Sequence, residues 1–270
     1  MGTIARYTDP SLMSIHVAPL PSSSLALMRE ARVVFARALG FAVAATLLLV
    51  LGGIVQTLPG IAGLILFTGL VFAFERLLAG NHPYARLGAA NRITLVRAGV
   101  ACLIASRALD PAPLGMAERW MLVALAGAAL LLDGTDGWAA RRQRLSSAFG
   151  ARFDMEIDAF AIAVLAITAV KAASVPYWVL AIGAMRYLYL GAGRVFPALR
   201  LPPPTCAFAD RRRKAIAVAQ SLALLCSLAP ATPPSWAVAT CALALCLLAY
   251  SFAADIFMQL SDKPHRVRPE

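Results

Sequence analysis

Long apolar runs separated by short polar stretches recur along the whole chain. Eight are read, at approximately 36–58, 60–79, 93–109, 118–136, 154–172, 176–193, 214–230 and 234–257. Runs of roughly 17–25 residues are long enough to cross a bilayer as helices. None alternates with the period of two that marks a membrane-barrel strand. The pattern predicts an all-α integral membrane protein with about eight transmembrane helices. No cleavable leader is expected, because the first run begins late and is too long for a signal-peptide core. Met1-Gly2 opens like a myristoylation signal, but Arg6 stands where Ser or Thr is needed.

The polar interruptions divide the chain. "GNHPYARLGAAN", around residues 80–91, separates an N-terminal pair of spans from six others that hold all the polar intramembrane residues. Four segments result: a loose cytoplasmic or interfacial tail over 1–30, an accessory transmembrane hairpin over 31–82, a six-helix core over 83–260 and a C-terminal tail over 261–270. No internal repeat is evident. "RVFPALRLPPPTCAFADRRRK", 194–214, is too stiff and polar to span and is expected to lie along the cytoplasmic surface.

Composition agrees: 60% of residues are hydrophobic and 14% charged, where soluble domains are about a quarter charged. A net charge of +11 raises nucleic acid as a partner, but its distribution argues otherwise. Arginines and lysines collect before the first span, in alternate loops (Arg76, Arg86 and Arg92; Arg141, Arg142, Arg144 and Arg152; Arg194, Arg200 and Arg211–Lys214) and after the last span. The opposite loops are nearly free of them. The positive-inside rule then puts both termini in the cytoplasm, with attraction to anionic membrane lipids a secondary effect. The inner membrane of a bacterium is the expected location. Of Cys102, Cys206, Cys226, Cys241 and Cys246, four fall in predicted spans and none forms a Cys-x-x-Cys pair, so they read as small buried apolar residues.

Against this background "LLDGTDGWAARRQRLSSAFGARFDMEID", 131–158, stands out. Asp133 and Asp136 share a face at the cytoplasmic end of the fourth span; Asp154 and Asp158 share one in the first turns of the fifth. A short loop folds the two spans into an antiparallel hairpin, so the four carboxylates converge just inside the interface. One Asp at mid-helix costs about 2.5–3.5 kcal/mol on an insertion scale, and mutual repulsion adds to that. Divalent ions remove both problems. Two Mg²⁺ or Mn²⁺ ions would take carboxylate oxygens and keep positions open for phosphate; without His or Cys ligands, zinc is disfavoured. Gly137 and Ala140 would let a bulky ligand approach the backbone or serve close helix packing. Arg141 could grip a pyrophosphate. Glu156 lies on another face and is not expected to be a ligand.

The spacing Asp133-x2-Asp136-Gly137-x2-Ala140-Arg141-x8-Gly150-x3-Asp154-x3-Asp158 resembles the full signature of the CDP-alcohol phosphotransferase family. Asn91, Thr94 and Arg97 in "NRITLVR" resemble the N-x-x-T-x-x-R pattern of that family's first core helix. Lys214 and Gln220 resemble a recurring Lys and Gln, although Ala217 replaces a frequent Thr and Arg213 the usual Gly. The two N-terminal spans lie outside the family core. The resemblance implies attack of an alcohol hydroxyl on a CDP-linked donor, usually CDP-diacylglycerol, with a phosphodiester formed and CMP released. It implies that Asp133, Asp136, Asp154 and Asp158 hold a metal pair, with Asp158 also the general base. Asn91, Thr94, Gly137, Ala140 and Arg141 would bind the CDP moiety, and a homodimer is expected from relatives.

For the acceptor, Arg186 is a cation inside a span, either ion-paired structurally or bound to substrate. Arg213 and Lys214 could join it in binding a phosphorylated alcohol; alternatively, Arg211–Arg213 only set topology. Two other classes compete. Prenyltransferases that use Mg²⁺ keep their two aspartate motifs far apart, whereas here all four acids fall in one hairpin. Ion or proton carriers place acidic residues near the midplane and across repeats, which does not match a cluster at one interface.

Overall fold

The computed structural model describes residues 22–78, 81–82, 84–143, 147–196 and 207–261; over 22–24, 135–143, 207–208 and 260–261 it describes the backbone path alone. The tails, most of the Pro-rich segment and Cys206 lie outside these residues. The described chain forms eight α-helices: α1 (Ser22–Leu51), α2 (Thr57–Leu78), α3 (Ala89–Leu109), α4 (Met116–Gln143), α5 (Ala148–Lys171), α6 (Leu180–Val195), α7 (Ala207–Leu228) and α8 (Pro234–Ser261). A 3-10 turn, Tyr177–Val179, leads into α6. The expected all-helical membrane architecture is what the chain adopts. No strand occurs among the described residues.

Three helices, α1, α2 and α8, contain a stretch long and apolar enough to qualify as a span by length and composition alone. α3, α4, α5 and α7 are as long, but polar residues interrupt them, and several of these face the interior: Asn91, Thr94, Arg97, Thr168 and Gln220 are all buried. A helix that places polar groups against other helices rather than lipid can still reside in a bilayer.

Helix ends follow local chemistry. The first span was expected to run to residue 58, but α1 stops at Leu51 because Gly53 turns with φ 67°, a left-handed conformation that Gly adopts without a Cβ penalty. At its other end α1 begins at Ser22, inside the stretch assigned to the tail. Leu27, Ala31 and Phe35, spaced by four, bury one stripe of that extension. α5 starts at a Ser147 cap whose side chain accepts the Gly150 N–H. Pro234 opens α8, where its missing N–H costs nothing.

Two apolar clusters hold the bundle. One joins α3, α4, α5, α7 and α8 through residues such as Leu122, Val164, Leu224 and Cys241. The other seats the α1–α2 hairpin on α3 and α5 through Phe35, Phe67, Phe74, Leu95, Phe149 and Ile157. α2 lies close on α3 because Gly63 has no side chain; a Cβ there would sit 2.7 Å from the Ser106 Cβ. The cysteine expectation needs correcting. Cys102 and Cys241 are buried, but Cys226 and Cys246 are exposed on their helices, where a weakly polar thiol suits lipid as well as core.

α3 carries polar residues toward both ends of the bundle. At the far end, away from the aspartates, Arg107 is 2% exposed. It donates to the Ala112 and Pro113 carbonyls at 3.0 and 2.7 Å and to Glu118 at 2.7 Å. Lys171 donates to the Arg107 and Asp110 carbonyls. Arg119 reaches Ser174 and the Leu228 carbonyl at 2.7 and 3.0 Å. Asp110 accepts the Gln56 and Ala112 N–H groups at 2.6 and 2.8 Å. The loops here are short and poor in cations, as expected, yet three helix-borne cations gather beside them.

Candidate active site

The α4–α5 hairpin brings its acids together against α3. One carboxylate oxygen each from Asp133, Asp154 and Asp158 lies within 4.8 Å of the others. All three side chains are about one-third exposed, so the cluster opens to its surroundings on one side and meets helix on the other. The expected convergence of the two aspartate pairs is therefore seen for three members. The side chains of Asp136, Gly137, Ala140 and Arg141 lie outside the described residues.

Arg97 closes the helix side. It is 6% exposed, and its guanidinium donates to Asp154 Oδ1 at 2.6 Å and approaches Asp133 Oδ1 at 2.7 Å. It also donates to Asp158 Oδ1. Among the described side chains one cation thus serves three carboxylates, a formal excess of two negative charges. Reading the sequence placed Arg97 in a motif but gave it no role. The signal was available: a buried Arg in a span needs a carboxylate partner, and the motif acids are the nearby candidates.

Asn91 and Thr94 lie on the same side of α3, about two turns and one turn before Arg97 respectively, and both are buried. Their side chains bond back to preceding backbone carbonyls, Asn91 Nδ2 to Leu87, just before the helix, at 2.6 Å and Thr94 to Ala90 at 3.1 Å. Asn91 also explains Gly150. A Cβ on Gly150 would lie 2.9 Å from Asn91 Oδ1, so this glycine lets the start of α5 pass against α3.

Glu156 turns away from the cluster, 51% exposed, and pairs with Arg186 at 2.5 Å. The Arg186 Nε is buried and has no partner among the described residues. Arg213 lies between Asp255 and Asp210, each at 3.0 Å, beside an Arg212–Asp255 pair of 2.5 Å. This clasp ties α7 to α8. Lys214 is exposed. Of the three candidate acceptor cations, two are thus engaged with other side chains, and none is paired with Asp133, Asp154 or Asp158 among the described contacts.

The donor set suits a hard divalent cation. Carboxylate oxygens only, at short mutual distances and with negative charge in excess, match Mg²⁺ or Mn²⁺ better than a soft metal. The profile of the family described as CDP-alcohol phosphatidyltransferase matches residues 87–250, which include all four motif aspartates and Arg97. Comparisons with curated proteins and with solved structures gave no match.

Proposed function

Because the chain belongs to the CDP-alcohol phosphatidyltransferase family, we propose that it transfers a phosphatidyl group from CDP-diacylglycerol to a polar, phosphorylated alcohol, with release of CMP and with two Mg²⁺ or Mn²⁺ ions. The observation that carries this reading is the cluster of Asp133, Asp154 and Asp158 around Arg97, with more negative charge than one guanidinium balances. Asp136 completes the ligand set. The ions would neutralise the acids and clamp the donor diphosphate.

Asp158 takes the proton of the acceptor hydroxyl. The acceptor oxygen then bonds to the phosphorus bearing the diacylglycerol, and the bond from that phosphorus to the bridging oxygen breaks, so CMP leaves. A base at the metal-held phosphate meets the geometric requirement for this step. Asn91, Thr94, Gly137, Ala140 and Arg141 hold the nucleotide. Arg186, Arg213 and Lys214 anchor the acceptor phosphate. The unpartnered Arg186 Nε and its half-exposed partner Glu156 favour exchange of that pair for a ligand. The site faces the cytoplasm of a bacterial cell, in a homodimer.

Purified protein, CDP-diacylglycerol and a panel of free and phosphorylated alcohols test the proposal through CMP release. Activity should need a phosphorylated acceptor, vanish on chelation and return with Mg²⁺ or Mn²⁺. Full turnover in excess chelator overturns the metal reading; no CMP with any acceptor overturns the donor.

A further inference from the structure

We propose that His82, in the segment joining the accessory hairpin to the core, is a positioning residue for the active site: it holds the capping hydroxyl of Ser147 and so sets the first turn of α5. The inference rests on the reading of Asp154 and Asp158 as metal ligands. His82 lies outside the residues matched by the family profile, so none of the motif positions implies it.

The hydrogen-bond roles follow from the partners. His82 Nε2 lies 2.9 Å from the Arg86 carbonyl, which can only accept, so Nε2 carries the proton. In the neutral ring Nδ1 is then an acceptor. It lies 3.2 Å from Ser147 Oγ, and that oxygen already accepts the Gly150 N–H at 3.0 Å. The Ser147 hydroxyl proton therefore goes to His82. A directed chain results, from Gly150 N–H through Ser147 O–H to His82, and from His82 Nε2–H to Arg86.

α5 depends on this cap. Its first turn holds no acidic residue, so no capping-box carboxylate reaches back to share the work. The His82 ring also packs edge-on to Phe149, with centroids 6.2 Å apart. Phe149 in turn meets Phe74 of α2, which also contacts Phe153 and Phe35. The hairpin thus grips α5 through rings one residue from Gly150 and one residue from Asp154. Asp154 and Asp158 follow Gly150 by one and two turns on the same helix, and Gly150 itself abuts Asn91. A shift of the cap would move both carboxylates relative to Asp133 and Arg97.

The test uses full-length protein with His82→Ala, His82→Asn, Ser147→Ala and the double variant His82→Ala/Ser147→Ala. Readouts are hydrogen exchange over the start of α5 in chelator, Mn²⁺ binding by electron paramagnetic resonance without donor, and KM and kcat for CMP release. His82→Ala should speed exchange there, weaken Mn²⁺ binding about tenfold, the low end for groups that support metal ligands, and raise the donor KM more than it lowers kcat. Asn offers an acceptor oxygen near the Nδ1 position and should restore most of each loss. Ser147→Ala should mimic His82→Ala, and the double variant should be no worse than either. Unchanged exchange in His82→Ala, or losses that simply add in the double variant, overturn the inference. A wild-type protein that binds no Mn²⁺ would instead overturn the functional reading, while the exchange result would still decide the role of His82.

Discussion

Arg97 and Arg107 sit ten residues apart on α3, about 15 Å along the axis, and both are almost wholly buried. Their surroundings differ in kind. Arg107 meets one carboxylate and two backbone carbonyls, with Asp110, Lys171 and Arg119 close by. Three cations face two carboxylates there, backbone carbonyls take most of the remaining donors, and Nε of Arg107 is its one atom without a partner among the described residues. Arg97 meets three carboxylates and cannot balance them. The same helix thus ends in a closed polar clasp on one side and an under-compensated acidic cluster on the other. Both are costly in a bilayer, but only the second retains the capacity to take up cations. An excess of carboxylate, rather than buried charge as such, distinguishes the active end among the described residues.

The largest expected effect tests the active end alone. Asp158→Asn keeps the side-chain volume and removes the base together with one negative charge. Proton transfer by a placed base is worth about 10²–10⁴-fold, so single-turnover rates should fall by that much while nucleotide-donor binding survives on the remaining aspartates. Thermal stability in chelator should hold or rise, because a repelling charge is gone. A loss of donor affinity as severe as that of Asp136→Asn would make Asp158 chiefly a metal ligand.

Exchanging the two arginines for alanine sharpens the contrast. Breaking a buried pair by removing one partner costs about 3–5 kcal/mol. Arg107→Ala should lower the thermal midpoint accordingly, and added Mn²⁺ should not repair the damage to the clasp. Arg97→Ala should be comparably destabilised in chelator. Mn²⁺ should recover a larger part of that loss than it adds to wild type, since a divalent ion can replace the missing counter-charge; a hundredfold excess over Kd is worth about 2.7 kcal/mol. Equal Mn²⁺ responses in the two variants would break the comparison.

The same contrast explains what the sequence made legible. Helices and the α4–α5 hairpin follow from runs and spacings that lie within a few tens of residues, so their existence is readable. The convergence of Asp133, Asp154 and Asp158 is readable for the same reason, since i,i+4 placement and one short loop determine it. Arg97 was only half visible. Its motif could be seen, but a partner 57 residues away could not be assigned without the α3–α5 contact. The far-end clasp left no trace, because backbone carbonyls are its main acceptors and every residue has one. Arg119 finds the Leu228 carbonyl 109 residues away, and no side-chain pattern encodes that. The α1 boundary was misread where Gly53 outweighed a continuous apolar run. Its early start did leave a sign in Leu27, Ala31 and Phe35, a spacing of four that the composition of the tail obscured.

The smallest expected effect probes whether the two ends are independent. Asp110 links the α1–α2 turn to the clasp by accepting from the Gln56 N–H. Burial alone would raise its pKa, but the N–H groups of Gln56 and Ala112 and the cations Arg107 and Lys171 outweigh it and hold the carboxyl below its ordinary range. A folded-state pKa below the unfolded value of about 3.9 means that the charged form stabilises the fold above that value. The contribution disappears as pH falls through the depressed folded value. Asp110→Asn keeps one oxygen for one of the two N–H donors, so at neutral pH it should cost only about 1 kcal/mol, one net hydrogen bond. The gap in thermal midpoint between wild type and variant should be constant from neutral pH down to about 5 and narrow as pH falls below about 4. Mn²⁺ affinity and CMP release should be unchanged, because none of the described contacts at this end reaches Asp133, Asp154 or Asp158. A tenfold change in either would mean that α3 transmits strain along its length, and the two arginine sites would then have to be treated as one coupled system.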